Sequence, residues 1–355
     1  MGDFPGVART RADITPEWLS RVLGVAESCP VTSASVEPAG SGQMGALVRA
    51  DLEFIGVPAD NIPRRVIVKQ AAESAEVRNT CDAMGLYAAE VRFYQEIAPR
   101  IGPAVPRCYF AAMESDSWFT LVMEDLADRA TPVDTRTGRV DKAATVLTEL
   151  AQIQSELWEE RELHTRPWLA PARSEPFFAV AAASTGQFLE RFGDLLDARH
   201  VALFERLLPR ASEWAHKWSG PLTLSHGDFR WDNMFLGDSE SGPDVIVVDW
   251  QAVKLGPPLL DVAFFMGACL TEQERLDHER ALLKHYHSAL QTFGVADYGS
   301  AQCWQDYRRN SVYGLLIAGL AVRAIQTARG DAIIAKGARR AADFVLSLDA
   351  EELFV

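Results

Sequence analysis

Strand-type alternation dominates the first third of the chain. It predicts five strands, at residues 31–39, 47–54, 64–70, 107–113 and 118–124. Between the third and fourth of these, Tyr87, Val91 and Tyr94 recur at steps of three and four residues, which is the helical period. Consecutive strands favour antiparallel pairing, so we expect a five-stranded antiparallel sheet with one main helix.

The helical period takes over beyond residue 126. It predicts long helical segments at 141–160, 200–219, 272–293 and 311–348. Two short apolar runs interrupt this pattern, Leu222 to Leu224 and Val245 to Val248, and we expect them to share one small sheet. The expected fold class is therefore α+β with two lobes, residues 1–125 and a mainly helical 126–355.

Charge and cysteine content narrow the possible partners and compartments. The 355 residues include 35 Lys and Arg against 49 Asp and Glu, which gives a net charge of -14. A phosphate backbone would be repelled by this excess, so we expect no nucleic-acid partner. The longest apolar stretch, residues 312–322, is about half of what a bilayer requires, so we expect no membrane partner. Five scattered cysteines without metal-ligand spacing favour reduced thiols and a cytoplasmic protein.

One polar loop carries the strongest chemical signal. His226, Asp228 and Asn233 lie between the two short apolar runs, and Asp249 follows the second run directly. We expect the two runs to bring these side chains to the same end of the small sheet. Phosphoryl transfer needs such a set: one carboxylate to deprotonate the attacking hydroxyl, and an amide and a second carboxylate to hold Mg²⁺.

This arrangement resembles the kinase-like phosphotransferases of the aminoglycoside phosphotransferase and choline kinase superfamily. Asp249-Trp250-Gln251, with Gly256 to Asp261 behind it, is most similar to the branch that includes the ecdysteroid-kinase-like proteins. The matching motifs span about 220 residues. The resemblance implies a protein-kinase-like fold and phosphorylation of a hydroxyl group on a small molecule.

The resemblance also implies roles for individual residues of the second lobe. Asp228 matches the catalytic base, Asn233 and Asp249 match the Mg²⁺ ligands, and His226 matches the residue that braces the loop. Arg230 lies where protein kinases carry a lysine directed at the transferred phosphoryl group.

A further match is structural. Asp261 corresponds to a carboxylate that holds the loop by hydrogen bonds.

In the first lobe, Lys69 matches the strand lysine that contacts nucleotide phosphates, and Glu90 on the next helix is its expected ion-pair partner. The glycine pattern of residues 40–45 lies where a phosphate-binding loop belongs. Its expected nucleotide-binding residues are Ser41, Gly42, Gln43 and Met44. Glu124 and Leu126 match the hinge that binds the nucleotide base through backbone groups.

Each assignment has a plainer alternative. Lys69 and Glu90 also fit solvated surface charges, and residues 40–45 also fit an ordinary hairpin turn. Arg230 also fits a surface ion pair with Asp232. The carboxylates and His226 also fit a transition-metal site, although only 7 histidines are present. The pair His285 and His287 fits surface positions.

The expected activity is Mg²⁺-dependent transfer from ATP, or from GTP, to a small-molecule hydroxyl acceptor. Only nine residues separate Asp249 from Leu259, so the long activation segment of a protein kinase is absent. The alternative is a nucleotide-binding pseudokinase with a regulatory role. Trp168, Phe177 and Phe178, in a Pro-rich loop of residues 165–178, are either packing residues or a wall of the acceptor site. Oligomeric state and acceptor identity are left open.

Overall fold

The computed structural model describes residues 5–40, 44–114, 117–133, 140–169, 175–216, 218–238, 242–322 and 328–354. Contacts divide the chain into two compact units. The sheet unit consists of Met1–Pro132 and Phe235–Ala252, and the helical unit consists of Val133–Met234 and Val253–Val355. The functional boundary expected at residue 125 stays a prediction.

The strands within the described residues are β1 Val31–Pro38, β2 Gly45–Phe54, β3 Arg65–Ala71, β4 Cys108–Met113, β5 Phe119–Glu124, β6 Ala130–Pro132, β7 Thr223–Ser225, β8 Met234–Gly237, β9 Val245–Val247 and β10 Lys254–Gly256. The α-helices are α1 Pro16–Val22, α2 Ala75–Ala83, α3 Leu86–Arg92, α4 Ala98–Ile101, α5 Val140–Ser155, α6 Arg161–His164, α7 Glu175–Ala183, α8 Thr185–Phe192, α9 Ala198–Leu207, α10 Ala211–His216, α11 Leu259–Cys269, α12 Glu272–Thr292, α13 Ser300–Asn310, α14 Tyr313–Ala321 and α15 Ala328–Ser347. A π-helical segment, Phe93–Ile97, connects α3 to α4.

The sheet unit is built on a five-stranded antiparallel sheet in the order β1-β2-β3-β5-β4. Successive side chains of a strand face opposite sides of the sheet. In β3, Val66 and Val68 therefore enter the hydrophobic core that α1 covers, while Lys69 faces the other side. The expected sheet and the α+β fold class are confirmed.

In the helical unit, α5 packs along α12 and β7 pairs with β10. The strands β8 and β9 instead belong to the sheet unit for all but Met234, where they pair in the order β6-β8-β9. The expectation that the two short apolar runs share one sheet is therefore wrong. β9 pairs with β8, the strand just before it, whereas β7 pairs with β10 although β9 is nearer in sequence, so sequence distance does not decide this pairing.

Two expectations for the helical unit are wrong, one about the length of a helix and one about the exposure of a histidine. The segment expected at 200–219 is two helices, α9 and α10, because Pro209 lies in a 3₁₀ turn between them. His287 is buried at 8% exposure and its Nε2 lies 2.7 Å from the Tyr298 carbonyl, so its surface placement is wrong. Residues 298–307 cover this face of α12.

Two further observations concern membrane spans and cysteines. In the part of the chain that the structure describes, no helix is long and apolar enough to cross a bilayer. All five cysteines are free thiols.

Candidate active site

The sheet unit brings together three of the predicted site residues. Lys69 Nζ donates to Glu90 Oε1 and to Asp249 Oδ1, both at 2.7 Å. Lys69 and Glu90 are buried at 8% and 1% exposure, so neither is a solvated surface charge. The expected ion pair is therefore present, and Asp249 joins it from the segment that follows β9.

Burial and charge act in opposite directions within this cluster. Burial alone would lower the pKa of Lys69, but the Glu90 and Asp249 carboxylates outweigh it and raise that pKa above its usual range. Burial raises the pKa of Glu90 to about 7, with Lys69 acting in the opposite direction. The lysine is therefore a cation across the physiological pH range.

The Asp249 backbone and side chain are both constrained. Its φ of 64° lies in the left-handed region, which few non-glycine residues adopt. Gln251 Nε2 donates to Asp249 Oδ2 at 3.3 Å, a contact that the sequence did not single out. Between them, Trp250 stacks on Phe93 with ring centroids 4.2 Å apart. The carboxylate is thus held by its own chain segment and by Lys69.

The predicted phosphate loop is only partly described. Ser41, Gly42 and Gln43 lie outside the described residues, and the Met44 carbonyl accepts a hydrogen bond from Tyr87 Oη at 2.8 Å. Gly45 has a clear steric reason. A Cβ there would lie 2.7 Å from the Gln70 carbonyl oxygen, so a side chain would push β2 away from β3 beside Lys69.

The predicted hinge residues carry structural side chains. Arg129 binds the Glu124 carboxylate through Nε at 2.6 Å, and the Glu124 N–H donates to the Arg107 carbonyl. Leu126 packs in a small core with Ile246. The Glu124 N–H already has a protein partner, and binding of a nucleotide base by backbone groups of this segment stays a prediction.

A cavity of about 590 Å³ lies at the hinge end of the sheet unit. Its charged lining includes Arg65, Glu124, Asp125 and Arg129. Asp125 is paired with Arg49 at 2.6 Å and Glu124 with Arg129, so the walls largely neutralise one another. Lys69 does not line this cavity, and we assign no phosphate site to it.

In the helical unit, backbone groups hold the loop that carries Asp228. His226 N and Gly227 N donate to the two oxygens of the fully buried Asp261, at 2.7 and 2.9 Å. The Asp228 N–H donates to His226 Nδ1 at 3.2 Å. Asp261 and His226 therefore make the loop contacts that the resemblance implied. Burial raises the pKa of Asp261, while His226 and the two donated amides act against that rise.

Side chains of the same loop alternate between the core and the surface. Phe229 and Trp231 are buried at 1% and 4% exposure, and both pack on Phe265 of α11. Asp228 and Arg230 point outward, with 31% and 45% of their side chains exposed. The two buried aromatic rings anchor the loop, and Asp228 and Arg230 lie on its exposed side.

Arg230 has two carboxylate partners. Its Nε lies 3.1 Å from Asp228 Oδ1, and its Nη1 lies 3.2 Å from Asp232 Oδ2. The surface pair with Asp232 is present, but Arg230 also touches the proposed base. Its role in catalysis stays a prediction.

The side chain of Asn233 is oriented by hydrogen bonds to Asp228. Its Nδ2 donates to the Asp228 carbonyl at 2.8 Å and to Asp228 Oδ2 at 3.0 Å. The amide nitrogen is therefore occupied, and Oδ1 is the atom available to a cation. Within the described ranges, no three His, Cys, Asp or Glu side chains form a metal-binding group. Mg²⁺ takes few protein ligands and prefers oxygen, and its binding by Asn233 and Asp249 stays a prediction.

The aromatic residues expected in a loop are placed differently. Phe177 and Phe178 lie on α7, and Trp168 and Phe178 are buried at 7% and 4% exposure. Phe177 is half-buried and stacks on Tyr313 with ring centroids 6.3 Å apart. Trp168 and Phe178 are packing residues, and Phe177 is the one that reaches the surface.

Sequence reasoning missed two residues beside the loop that carries Asp228. Tyr313 Oη donates to the Gly227 carbonyl at 2.8 Å, and Lys254 Nζ donates to Tyr313 Oη at 3.2 Å. Neither lies in a motif. The only signal was a lysine flanked by apolar residues in a short β-type segment, Val253 to Leu255.

The sequence model of the ecdysteroid kinase-like family matches residues 39–295. The chain belongs to this family. The match covers the glycine-rich segment, Lys69, the Asp228 loop and Asp249.

A curated relative is an uncharacterised kinase-like protein of Caenorhabditis elegans, 24% identical over 250 residues. The match covers 67% of this chain and 64% of that protein. Solved structures of this family's wider fold are more distant. A GDP complex of a mutant aminoglycoside 2'-phosphotransferase-IIIa is 13% identical with a TM-score of 0.55, covering 89% of this chain and 93% of that one. An ethanolamine kinase of Plasmodium vivax is 11% identical with a TM-score of 0.51, covering 96% and 90%. This ecdysteroid kinase-like chain thus has a kinase-like phosphotransferase fold.

Proposed function

We propose that this protein is a small-molecule kinase that phosphorylates a hydroxyl group. The observation that carries the proposal is the Asp228 carboxylate. It is partly exposed on a loop whose neighbouring amides are bound by Asp261 and His226, and Asn233 donates to one of its oxygens. A carboxylate held in this way is prepared to accept a proton from a bound alcohol.

Nucleotide binding is assigned to the sheet unit. Lys69 supplies a buried cation for the phosphates, and Glu90 keeps it in place. Asn233 and Asp249 are the residues that would hold Mg²⁺, which when bound neutralises charge on the phosphates. Asp249 then has to exchange its contact with Lys69 for the ion.

The proposed reaction is an in-line displacement. The acceptor hydroxyl loses its proton to Asp228, its oxygen forms a bond to the terminal phosphorus, and the bond from that phosphorus to the leaving nucleoside diphosphate breaks. Arg230, beside Asp228, would stabilise negative charge on the transferring group.

The donor is ATP or GTP, and we propose ATP first. A structural neighbour with GDP bound keeps GTP in the test. Five free cysteines suit a reducing compartment, and we propose the cytoplasm.

For the acceptor we propose a molecule with a substantial apolar surface. Phe177 is the half-buried aromatic residue that supports this, and polycationic sugars should be poor substrates. Phe177→Ala should raise the KM of the acceptor, whereas Trp168→Ala should mainly lower stability, by about 3–5 kcal/mol. Efficient transfer to several aminoglycosides, unaffected by Phe177→Ala, would contradict this assignment.

The decisive experiment is a nucleotide-consumption screen. Purified protein with Mg²⁺ and either ATP or GTP is tested against a library of hydroxylated metabolites, with product phosphorylation confirmed by mass spectrometry. Asp228→Asn is the matched inactive control. Tight nucleotide binding by the wild type without any turnover across the library would support a regulatory pseudokinase instead.

A further inference from the structure

Tyr313 occupies a fixed position behind the catalytic loop. It begins α14, is 1% exposed, and is surrounded by the rings of Phe177, Trp214 and Phe264, at centroid distances of 6.3, 6.4 and 5.5 Å. These ring contacts fix the direction in which the Tyr313 hydroxyl points. That hydroxyl donates to the Gly227 carbonyl at 2.8 Å.

The Gly227 carbonyl belongs to the peptide group that leads into Asp228. Gly227 has a φ of 82°, in the left-handed region that glycine adopts without strain. The oxygen of this peptide is held by Tyr313, and its N–H, which is that of Asp228, is held by His226 Nδ1. Rotation of the peptide would therefore break two hydrogen bonds and turn the Asp228 side chain.

Lys254 supports the tyrosine from the other side. It lies on β10, where it pairs with Ser225 of β7, one residue before His226. The lysine is 9% exposed, and its Nζ lies 3.2 Å from Tyr313 Oη. A cation that donates to a hydroxyl oxygen polarises the O–H bond and strengthens the bond that the hydroxyl donates in turn.

We propose that Tyr313 is a positioning residue that fixes the Gly227–Asp228 peptide, with Lys254 as its support, and so sets the direction of the proposed base. The proposal rests on the proposed function and adds residues outside every motif that carried it. Asp261 and His226 accept hydrogen bonds from the N–H groups of the loop, and Tyr313 donates to the Gly227 carbonyl, which those two residues do not contact.

Tyr313→Phe tests this because it removes one oxygen and keeps the ring packing. We expect kcat to fall about tenfold with the nucleotide KM nearly unchanged, and the melting temperature to fall modestly because the Gly227 carbonyl loses its donor. The matched control is Tyr298→Phe. Tyr298 is also buried, at 5% exposure, and donates to Asp306 at 2.7 Å, away from the loop. This variant should lose stability and keep kcat.

Lys254→Met extends the test. Its kcat should fall as in Tyr313→Phe, and the double variant should be no slower than the slower single variant, because both act through one hydrogen bond. Additive losses would show that Lys254 acts separately, and would overturn its part of the proposal.

A second readout does not depend on turnover. Amide hydrogen exchange of residues 226–233 should become faster in Tyr313→Phe and stay unchanged in Tyr298→Phe. Unchanged exchange together with wild-type kcat would overturn the positioning role. If the wild type turns over no acceptor in the screen while exchange still responds to Tyr313→Phe, the proposed function fails and the structural contact stands.

Discussion

The helical unit holds Asp228 mainly through backbone groups, whereas the sheet unit holds Lys69 and Asp249 through opposite charges. Around Asp228, three successive amides and one carbonyl have assigned partners. Around Lys69, two carboxylates share one ammonium group at 2.7 Å. Backbone contacts of this kind can persist through a reaction, because they do not use the groups that react.

The charge cluster has a different property. Lys69 and Asp249 contact each other directly, and under the proposed function nucleotide binding would replace that contact with phosphate and a cation. The backbone contacts around Asp228 would then stay as they are during the reaction, while the contacts of Lys69 and Asp249 would change. The following predictions test this contrast.

Asp228→Asn should have the largest effect. It removes the proton acceptor and leaves the backbone contacts in place, so turnover should fall by roughly two to four orders of magnitude while nucleotide binding stays nearly intact. Steady-state kinetics and isothermal titration measure the two quantities. Asp232→Asn, an exposed carboxylate on the same loop, should keep most of the turnover. Comparable turnover in Asp228→Asn and wild type would remove Asp228 as the base.

Arg230→Ala tests whether the exposed side of the loop contributes to the reaction beyond the backbone contacts that hold the loop. We expect a loss in kcat equivalent to about 2–4 kcal/mol, with nucleotide binding weakened less, because the guanidinium acts on charge that develops during transfer. Arg230→Lys should recover part of this, since the charge survives without the planar geometry. A small change in melting temperature with unchanged kcat would leave only the surface pair with Asp232.

Substitutions of Asp261 test the hydrogen bonds that hold the backbone of the Asp228 loop. Asp261→Ala leaves two buried N–H groups without an acceptor, at about 1–3 kcal/mol each, whereas Asp261→Asn keeps one acceptor oxygen and should cost less. Urea denaturation measures the free energy of unfolding of both variants. If both variants lost the same small amount of unfolding free energy, water would be replacing the carboxylate, and Asp261 would not be needed to hold the loop backbone.

Glu90 tests the charge cluster through pH and should have the smallest effect. Its folded pKa of about 7 lies above the model-peptide value of 4.5, so between these pH values the folded state binds more protons than the unfolded one. Its contribution to stability therefore falls as pH rises from about 4.5 to about 7. Glu90→Gln should reduce this slope in denaturation series at pH 5 and 7.5. An unchanged slope would show that Glu90 stays ionised across this range.

Much of the sheet could be predicted from the sequence because the strand pattern of a segment such as β3 is visible within a few neighbouring residues. The ion pair of Lys69 with Glu90 was expected from the family resemblance, which fixes the order of the strand and helix that carry them. The small sheets were not predicted correctly, because strands of three residues contain too little pattern to choose between partners. Pairing of β7 with β10 depends on packing that no local window contains.

Residues that act through distant contacts were missed for a related reason. Tyr313 lies 86 residues after Gly227, and only the fold brings its hydroxyl to that carbonyl. His287 was misplaced because the residues that bury it follow the helix. Sequence motifs thus pointed to the proposed reacting groups and to Asp261 and His226, whereas supporting residues outside the motifs, such as Tyr313, were missed.

The discontinuity of the sheet unit has a consequence for synthesis on the ribosome. When residue 132 has been made, the five-stranded sheet is complete, but Asp249 and Trp250 are still about a hundred residues away. Until then Lys69 has only Glu90 as a partner, and Phe93 lacks the ring that stacks on it. The first unit to begin folding is therefore finished only after much of the second has been translated, and a fragment ending at residue 132 should expose the apolar surface that Trp250 covers.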